Sequence, residues 1–513
     1  MNFFCWRPCR WAGFFLVGLW FCLACPPWAL AAPPSLTYAP YLQQVQDQIT
    51  EFSLENGLKV IVLENHAAPV VSFFTYADVG GVDEPEGKTG VAHFLEHLAF
   101  KGTRRIGTQD YAAERKLLDQ LDQLALQIRA ARLQGEKPNP ALQKQFEQVQ
   151  AEAEKYVKPN EFSQIIQMAG GVGLNAATSA DATMYFYSLP ANKLELWMSL
   201  ESERFLEPVF RGFYQEQQVI LEERRMRTEN NPMGRMVEAF LDQAFVKHPY
   251  KRPVIGYDAD IRNLSRQDVT DFFEAYYGPA NLTLVIVGDV DPQQVKTLAQ
   301  RYFGRFPARP QPPTLTVVEP PQQQTRTITL RLPSQPWYLE GYHRPAMSHP
   351  DNAVYEVIAT LMSDGRTSRL YQALVQDQQV ALTAQGFNGF PGDKYPNLML
   401  FYAQSTPNTD LTTLAQALGQ EIERLKQEPV TPEELERVKN QLQADLLRSL
   451  DSNQGMARLL AEYEVKTGDW RNLFQQLEAV AAVTPADIQR VARQTFTPEN
   501  RTIGRILPAD TPN

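Results

Sequence analysis

The chain is poor in cysteine and histidine. Its four cysteines, Cys5, Cys9, Cys22 and Cys25, all fall within the first 25 of 513 residues, so the rest of the chain has no disulfide framework and no thiol nucleophile. There are six histidines, and a close pair of them is therefore informative. Positive charge is also in short supply: 49 Lys and Arg stand against 59 Asp and Glu. A net charge of -10 argues against a nucleic-acid partner. No run of 18 apolar residues occurs beyond the N-terminus, so no later segment reads as a membrane span. What remains is a globular composition, 43% hydrophobic and 21% charged, in a chain long enough for more than one core.

Residues 1–32 read as a secretory signal. Arg7 and Arg10 precede an apolar run from Trp11 to Cys25, and Ala29, Leu30, Ala31 and Ala32 offer a cleavage site near Ala31 or Ala32. An uncleaved anchor is the main rival, and lipidation at Cys25 a weaker one, because Cys22-Leu23-Ala24 lacks the leucine of a lipobox. Cleavage removes two arginines and takes the net charge from -10 to -12. An exported, cysteine-free chain fits a periplasmic or extracellular location, with no stable membrane span after cleavage.

Residues 33–47 look like a polar linker. "FSLENGLKVIVLEN" alternates on both sides of Asn56-Gly57, which predicts a hairpin with a type I′ turn. Residues 70–79, 175–189 and 284–290 each read as a strand. Between them, residues from about 110 to 160 show apolar spacing on either side of Pro138-Asn139-Pro140, the pattern of an antiparallel helical hairpin. Its charged faces are expected to be solvated, and no chemistry is assigned to it.

Residues 307–324 hold six prolines and form the best boundary in the chain. A repeat flanks it: "SRQDVTDFFEAYYGPANLT" from Ser265 and "TPADIQRVARQTFTPENRT" from Thr484. Asp268 and Asp487, Pro279 and Pro498, and Asn281 and Asn500 each lie 219 residues apart. The expected fold is α+β, with two homologous α/β sandwich halves, each an antiparallel-rich sheet with helices on one face, enclosing a site between them. The halves span residues 48–306 and 325–508.

"TGVAHFLEHLAFKGT" (89–103) carries the chemistry. On a helix His93, Glu96 and His97 share a face. Two imidazoles at this spacing can chelate one zinc ion, and the glutamate can take a proton from water. The order His-x-x-Glu-His inverts the usual zincin order. The competing reading is a satisfied polar helix face. Phe94, Leu95, Leu98 and Phe100 make the helix largely buried, which favours a metal partner for its ionisable groups. A catalytic zinc needs a third ligand. In "YQEQQVILEERRMRTEN", Glu216 and Glu223 lie two helical turns apart; spacing alone leaves Glu223 as a candidate beside an ordinary solvated, salt-bridged face.

These blocks, with "LNAATSADATMYFYSL" and "YYGPANLTLVIVGDV", resemble in order the pitrilysin and insulinase family of zinc metallopeptidases, the inverzincins, over nearly all of residues 48–508. The resemblance implies zinc ligation by His93, His97 and Glu223, one Zn2+ per chain, with Glu96 as general base and Glu216 orienting a ligand histidine. It also implies that Asn175, Ala176 and Ala177 form an edge strand pairing with peptide substrate. Two departures stand out. The segment between His97 and Glu223 is long, which the helical hairpin accounts for. Val375 and Leu382 occupy the positions of an arginine and a tyrosine that grip substrate in active relatives, and neither side chain donates a hydrogen bond. The expectation is an exported zinc endopeptidase that needs a homologous subunit, in a heterodimer, to supply Arg and Tyr. The alternatives are a non-catalytic scaffold subunit and a zinc-binding module without hydrolysis.

Overall fold

The computed structural model describes residues 39–509 apart from 136 and 138, so the signal segment and all four cysteines lie outside the described residues. Where a polar linker was expected, Ala39–Asp47 form a helix; Leu42 and Val45, three apart, give it the spacing of one helical face.

Two sheets follow. The first contains β1 (Ile49–Ser53), β2 (Lys59–Glu64), β3 (Val70–Ala77), β4 (Val172–Thr178), β5 (Thr183–Pro190) and β6 (Leu282–Gly288), in the order β1-β2-β6-β3-β5-β4. The second contains β7 (Arg326–Leu332), β8 (Trp337–Arg344), β9 (Ala381–Phe390), β10 (Asn397–Ser405) and β11 (Arg501–Pro508), in the order β7-β11-β8-β10-β9. Aligned in chain order, β2 to β6 and β7 to β11 have one topology. β2 pairs with β6, and β7 with β11, in parallel, and all other neighbours are antiparallel.

The repeat seen in the sequence keeps the same bonds in both halves. Ser265 and Thr484 begin helices Arg266–Tyr276 and Pro485–Thr495, each closed by a reciprocal cap with Asp268 or Asp487. Asn281 Nδ2 donates to the carbonyls of Tyr276 and Asp78, while Asn500 Nδ2 donates to those of Thr495 and His343. A short polar side chain thus ties the helix end to a strand in each half. Residues 307–323 between the halves have no regular structure.

Two local expectations need correction. The β1–β2 hairpin forms, but its turn is not type I′: Gly57 alone has positive φ, 93°, and its N–H donates to Leu54 O. Asn56 is held outside the left-handed region by its side chain, whose Nδ2 donates to Phe303 O and Phe306 O while its Oδ1 accepts from Leu58 N. Residues 175–189 are two strands rather than one, because Ser179 Oγ accepts from Asp181 N and Ala182 N and turns the chain between β4 and β5.

One face of each sheet carries its own half's helices. The first core joins Val60, Phe73, Leu284 and Ile286 to Phe94, Trp197 and Phe213; the second joins Tyr342, Met399 and Phe401 to Ile358 and Leu418. The opposite faces are covered by exchanged helices. Pro232–Ala244, from the first half, lies on β7 and β11, and Asn453–Thr467, from the second, lies on β3 and β6. Where the halves meet, Met236, Phe240 and Tyr250 share a buried cluster with Leu339, Leu400 and Ile506. Gly341 and Gly504 let Phe240 in, since a Cβ on either would stand 2.8 or 3.0 Å from its ring. No helix among the described residues is long and apolar enough to cross a membrane.

Candidate metal centre

The histidines sit on helix Val91–Leu98, whose start is tightly specified. Gly90 precedes it at φ 88°, and a Cβ there would lie 2.6 Å from Ile255 O. Buried Glu84 receives two first-turn N–H groups, Gly90 N on Oε2 at 2.9 Å and Ala92 N on Oε1 at 3.0 Å. Val91, Phe94, Leu95 and Leu98 point into the core, so His93, Glu96 and His97 must share the remaining face. Phe94 stacks on Phe213 at 4.5 Å, which sets this helix against Phe213–Arg224, the helix carrying Glu216 and Glu223.

Glu223 Oε2 lies 3.7 Å from His93 Nε2 and 3.5 Å from His97 Nε2. Two ligands each about 2.1 Å from zinc and at the tetrahedral angle stand about 3.4 Å apart. The spacing, two imidazole nitrogens and one carboxylate oxygen therefore fit a zinc ion, and His93, His97 and Glu223 form the one candidate metal cluster among the described residues. Burial, with help from His97 and Arg227, pushes the His93 imidazole down to about 3. It is thus neutral and ready to donate a lone pair. Its Nδ1 is buried without a partner, which leaves the ring held by packing and by whatever Nε2 binds.

The other side chains have distinct partners. Glu96 Oε2 accepts from Thr178 Oγ1 at 2.6 Å, and burial raises the Glu96 carboxyl above its ordinary value. Glu216 Oε2 faces His97 Nδ1 at 3.2 Å, and its Oε1 is bonded by the Lys101 ammonium. Burial alone would raise the Glu216 carboxyl, but these two bonds hold it below the usual range. For His97 burial lowers the pKa, and the Glu216, Glu223 and Glu96 carboxylates more than offset it. Arg227 Nη2 contacts Glu223 Oε1 at 2.9 Å from the π-helical turn Arg225–Glu229, the kind of bulge found at functional sites.

Thr178, Lys101 and Arg227 do not stand out in the sequence, although each adjoins a residue or motif that does. Thr178 follows Ala177, and Lys101 lies in the motif's own tail. Their signal is three-dimensional: each reaches a carboxylate from another element or another turn.

Asn175, Ala176 and Ala177 lie on β4, the outer strand of the first sheet, with Asn175 exposed and both alanines half-buried. Beyond them, Thr178 ends the strand at Glu96. Val375 packs against the second core and Leu382 is 52% exposed on β9; neither brings a donor.

Comparison with known proteins follows this geometry. Residues 59–137 and 141–258 match "Insulinase (Peptidase family M16)", and residues 263–442 match "Peptidase M16 inactive domain". Zinc protease PqqE of Helicobacter pylori is 30% identical over 452 residues, covering 86% of this chain and 89% of that protein. The chain belongs to the insulinase family of peptidases. The crystal structure of a protease from Helicobacter pylori superposes with a TM-score of 0.76 at 28% identity, over 90% of this chain and 99% of that one. The periplasmic protease PqqL from Escherichia coli shares the fold, with a TM-score of 0.67 at 17% identity, over 91% of this chain and 49% of PqqL.

Proposed function

We propose that this chain is an exported zinc endopeptidase that cleaves peptides or unfolded polypeptides. The observation that carries the proposal is Glu223 Oε2 standing 3.7 and 3.5 Å from the two histidine Nε2 atoms, with Glu96 on the same helix face. His93, His97 and Glu223 hold one Zn2+ per chain, and Glu216 fixes the ring of His97. When bound, the ion supplies a Lewis acid that acidifies water and polarises a peptide carbonyl. Glu96, raised by burial and held by Thr178, takes the proton from the attacking water and returns it to the leaving nitrogen. Asn175, Ala176 and Ala177 pair through their backbone with an extended substrate at the free edge of β4. The catalytic domain is residues 48–306, with the hairpin inserted at about 110–160; 307–324 is the linker and 325–508 the homologous domain.

The side chains of Val375 and Leu382 leave the oxyanion side without donors, so a homologous subunit contributes Arg and Tyr to the substrate chamber. Export is supported by the signal-like residues 1–32 and by the fold shared with periplasmic PqqL. The test is peptide hydrolysis by the chain alone and by the chain reconstituted with a homologous Arg- and Tyr-bearing subunit. The pair is expected to turn over, and Glu96→Gln in the pair to fall to background. Equal turnover by the chain alone would remove the need for a partner, and an active Glu96→Gln pair would remove Glu96 from its role.

A further inference from the structure

The inserted hairpin (helices Tyr111–Leu133 and Pro140–Glu154) is more than a solvated decoration. Glu114, in the first turn of its first helix, is wholly buried and receives Arg211 Nε at 2.8 Å and Nη2 at 3.3 Å. Arg211 is also buried, and it spends its remaining donors on the loop that follows the motif helix. Nη1 donates to Lys101 O at 2.5 Å and Ile106 O at 3.1 Å, and Nη2 to Thr103 O at 2.7 Å. Three carbonyls of one short loop thus wrap a guanidinium whose charge is balanced by the hairpin. The loop comes so close that a Cβ on Gly107 would lie 2.8 Å from Arg211 Nη1.

That loop presents Lys101 to Glu216. The two oxygens of Glu216 are shared out, one to the Lys101 ammonium and one to His97 Nδ1. A carboxylate bonded at one oxygen alone can swing about its Cγ–Cδ bond. Bonded at both, it has a fixed plane, and the imidazole that donates to it has a fixed tautomer, with Nε2 left free toward Glu223. The hairpin also touches the carboxylate helix directly, through Tyr214 Oη on Asp122 at 3.0 Å and Tyr214 edge-on to Phe146.

We propose that Lys101 is a positioning residue for the metal site, and that the inserted hairpin holds it in place through Glu114 and Arg211. This rests on the zinc reading of His93, His97 and Glu223. Lys101 is one-third exposed, so its substitution leaves the core intact. The test is zinc affinity by chelator competition, with the visible spectrum of the cobalt-substituted protein as a second readout. Lys101→Met is expected to weaken zinc binding about tenfold, in line with lost outer-shell partners, and to alter the cobalt bands. Lys101→Arg is expected to restore both. A Lys101→Met protein with wild-type affinity and spectrum overturns the proposal. Glu114→Gln, where it folds, is expected to weaken zinc in the same direction, and wild-type affinity there removes the hairpin from the chain of contacts. Failure of the zinc reading is distinguishable: the wild-type protein would take up no zinc, or His97→Ala would bind it unchanged.

Discussion

At the scale of single residues, the site is a set of shared carboxylates. Glu223 gives one oxygen to the histidines and one to Arg227, Glu216 divides itself between His97 and Lys101, and Glu96 leans on Thr178. Each division fixes a carboxylate plane that a lone contact would leave free. Thr178→Val removes a hydrogen bond to a charged group, worth about 1.5–3 kcal/mol. Zinc content is expected to stay unchanged while kcat falls about tenfold or more, a factor of ten for about every 1.4 kcal/mol. Steady-state kinetics on the reconstituted pair measure it, and an unchanged kcat would show that Glu96 needs no such support. His93, Glu96 and His97 were plain in the sequence, because three polar residues sharing one face of a buried helix need a binding partner to be stable there. Glu223 is ambiguous among the charges of "EERRMR" until the fold places it opposite the histidines. Thr178 and Lys101 are invisible as partners, since nothing in a linear pattern tells which carboxylate a strand end or a loop lysine will reach.

At the scale of elements, the exchanged helices explain why the halves behave as one body. Pro232–Ala244 leaves its own half and lies across β7 and β11, where Gly341 and Gly504 clear room for the fully buried Phe240. Phe240→Ala would leave a cavity between the halves and is expected to cost about 3–5 kcal/mol, read as a lower denaturant midpoint for a single transition. Separate unfolding of the two halves, with the first half unaffected, would contradict the shared core. The strands and the duplication were legible: alternation around Asn56-Gly57 marked β1 and β2, residues 70–79 and 284–290 read as the strands that became β3 and β6, and paired Asp, Pro and Asn residues marked the repeat. The exchange of helices was not, because an amphipathic helix records that it has an apolar face but not which sheet will cover it. The turn at Asn56-Gly57 departs from its expected type for a similar reason. Its local preference is overruled by bonds to Phe303 and Phe306, which lie 247 and 250 residues away in the chain.

At the scale of the molecule, one fold is used twice and, among the described residues, carries a candidate metal cluster once. The helix after β3 carries His93 and His97, while Asn352–Ser363, which follows the corresponding strand β8, has no histidine. The second half covers a sheet of the first and lends it no metal ligand. On the proposed function, a duplicated chain with a single zinc site is expected, and the metal count can deny it. The zinc content of the purified protein after equilibration with the metal and removal of excess is the most direct measurement. One zinc per chain is predicted in the wild type and in Glu96→Gln, with loss of the metal in Glu223→Gln. A wild-type chain without zinc, or a Glu223→Gln chain that keeps it, would contradict the site as assigned.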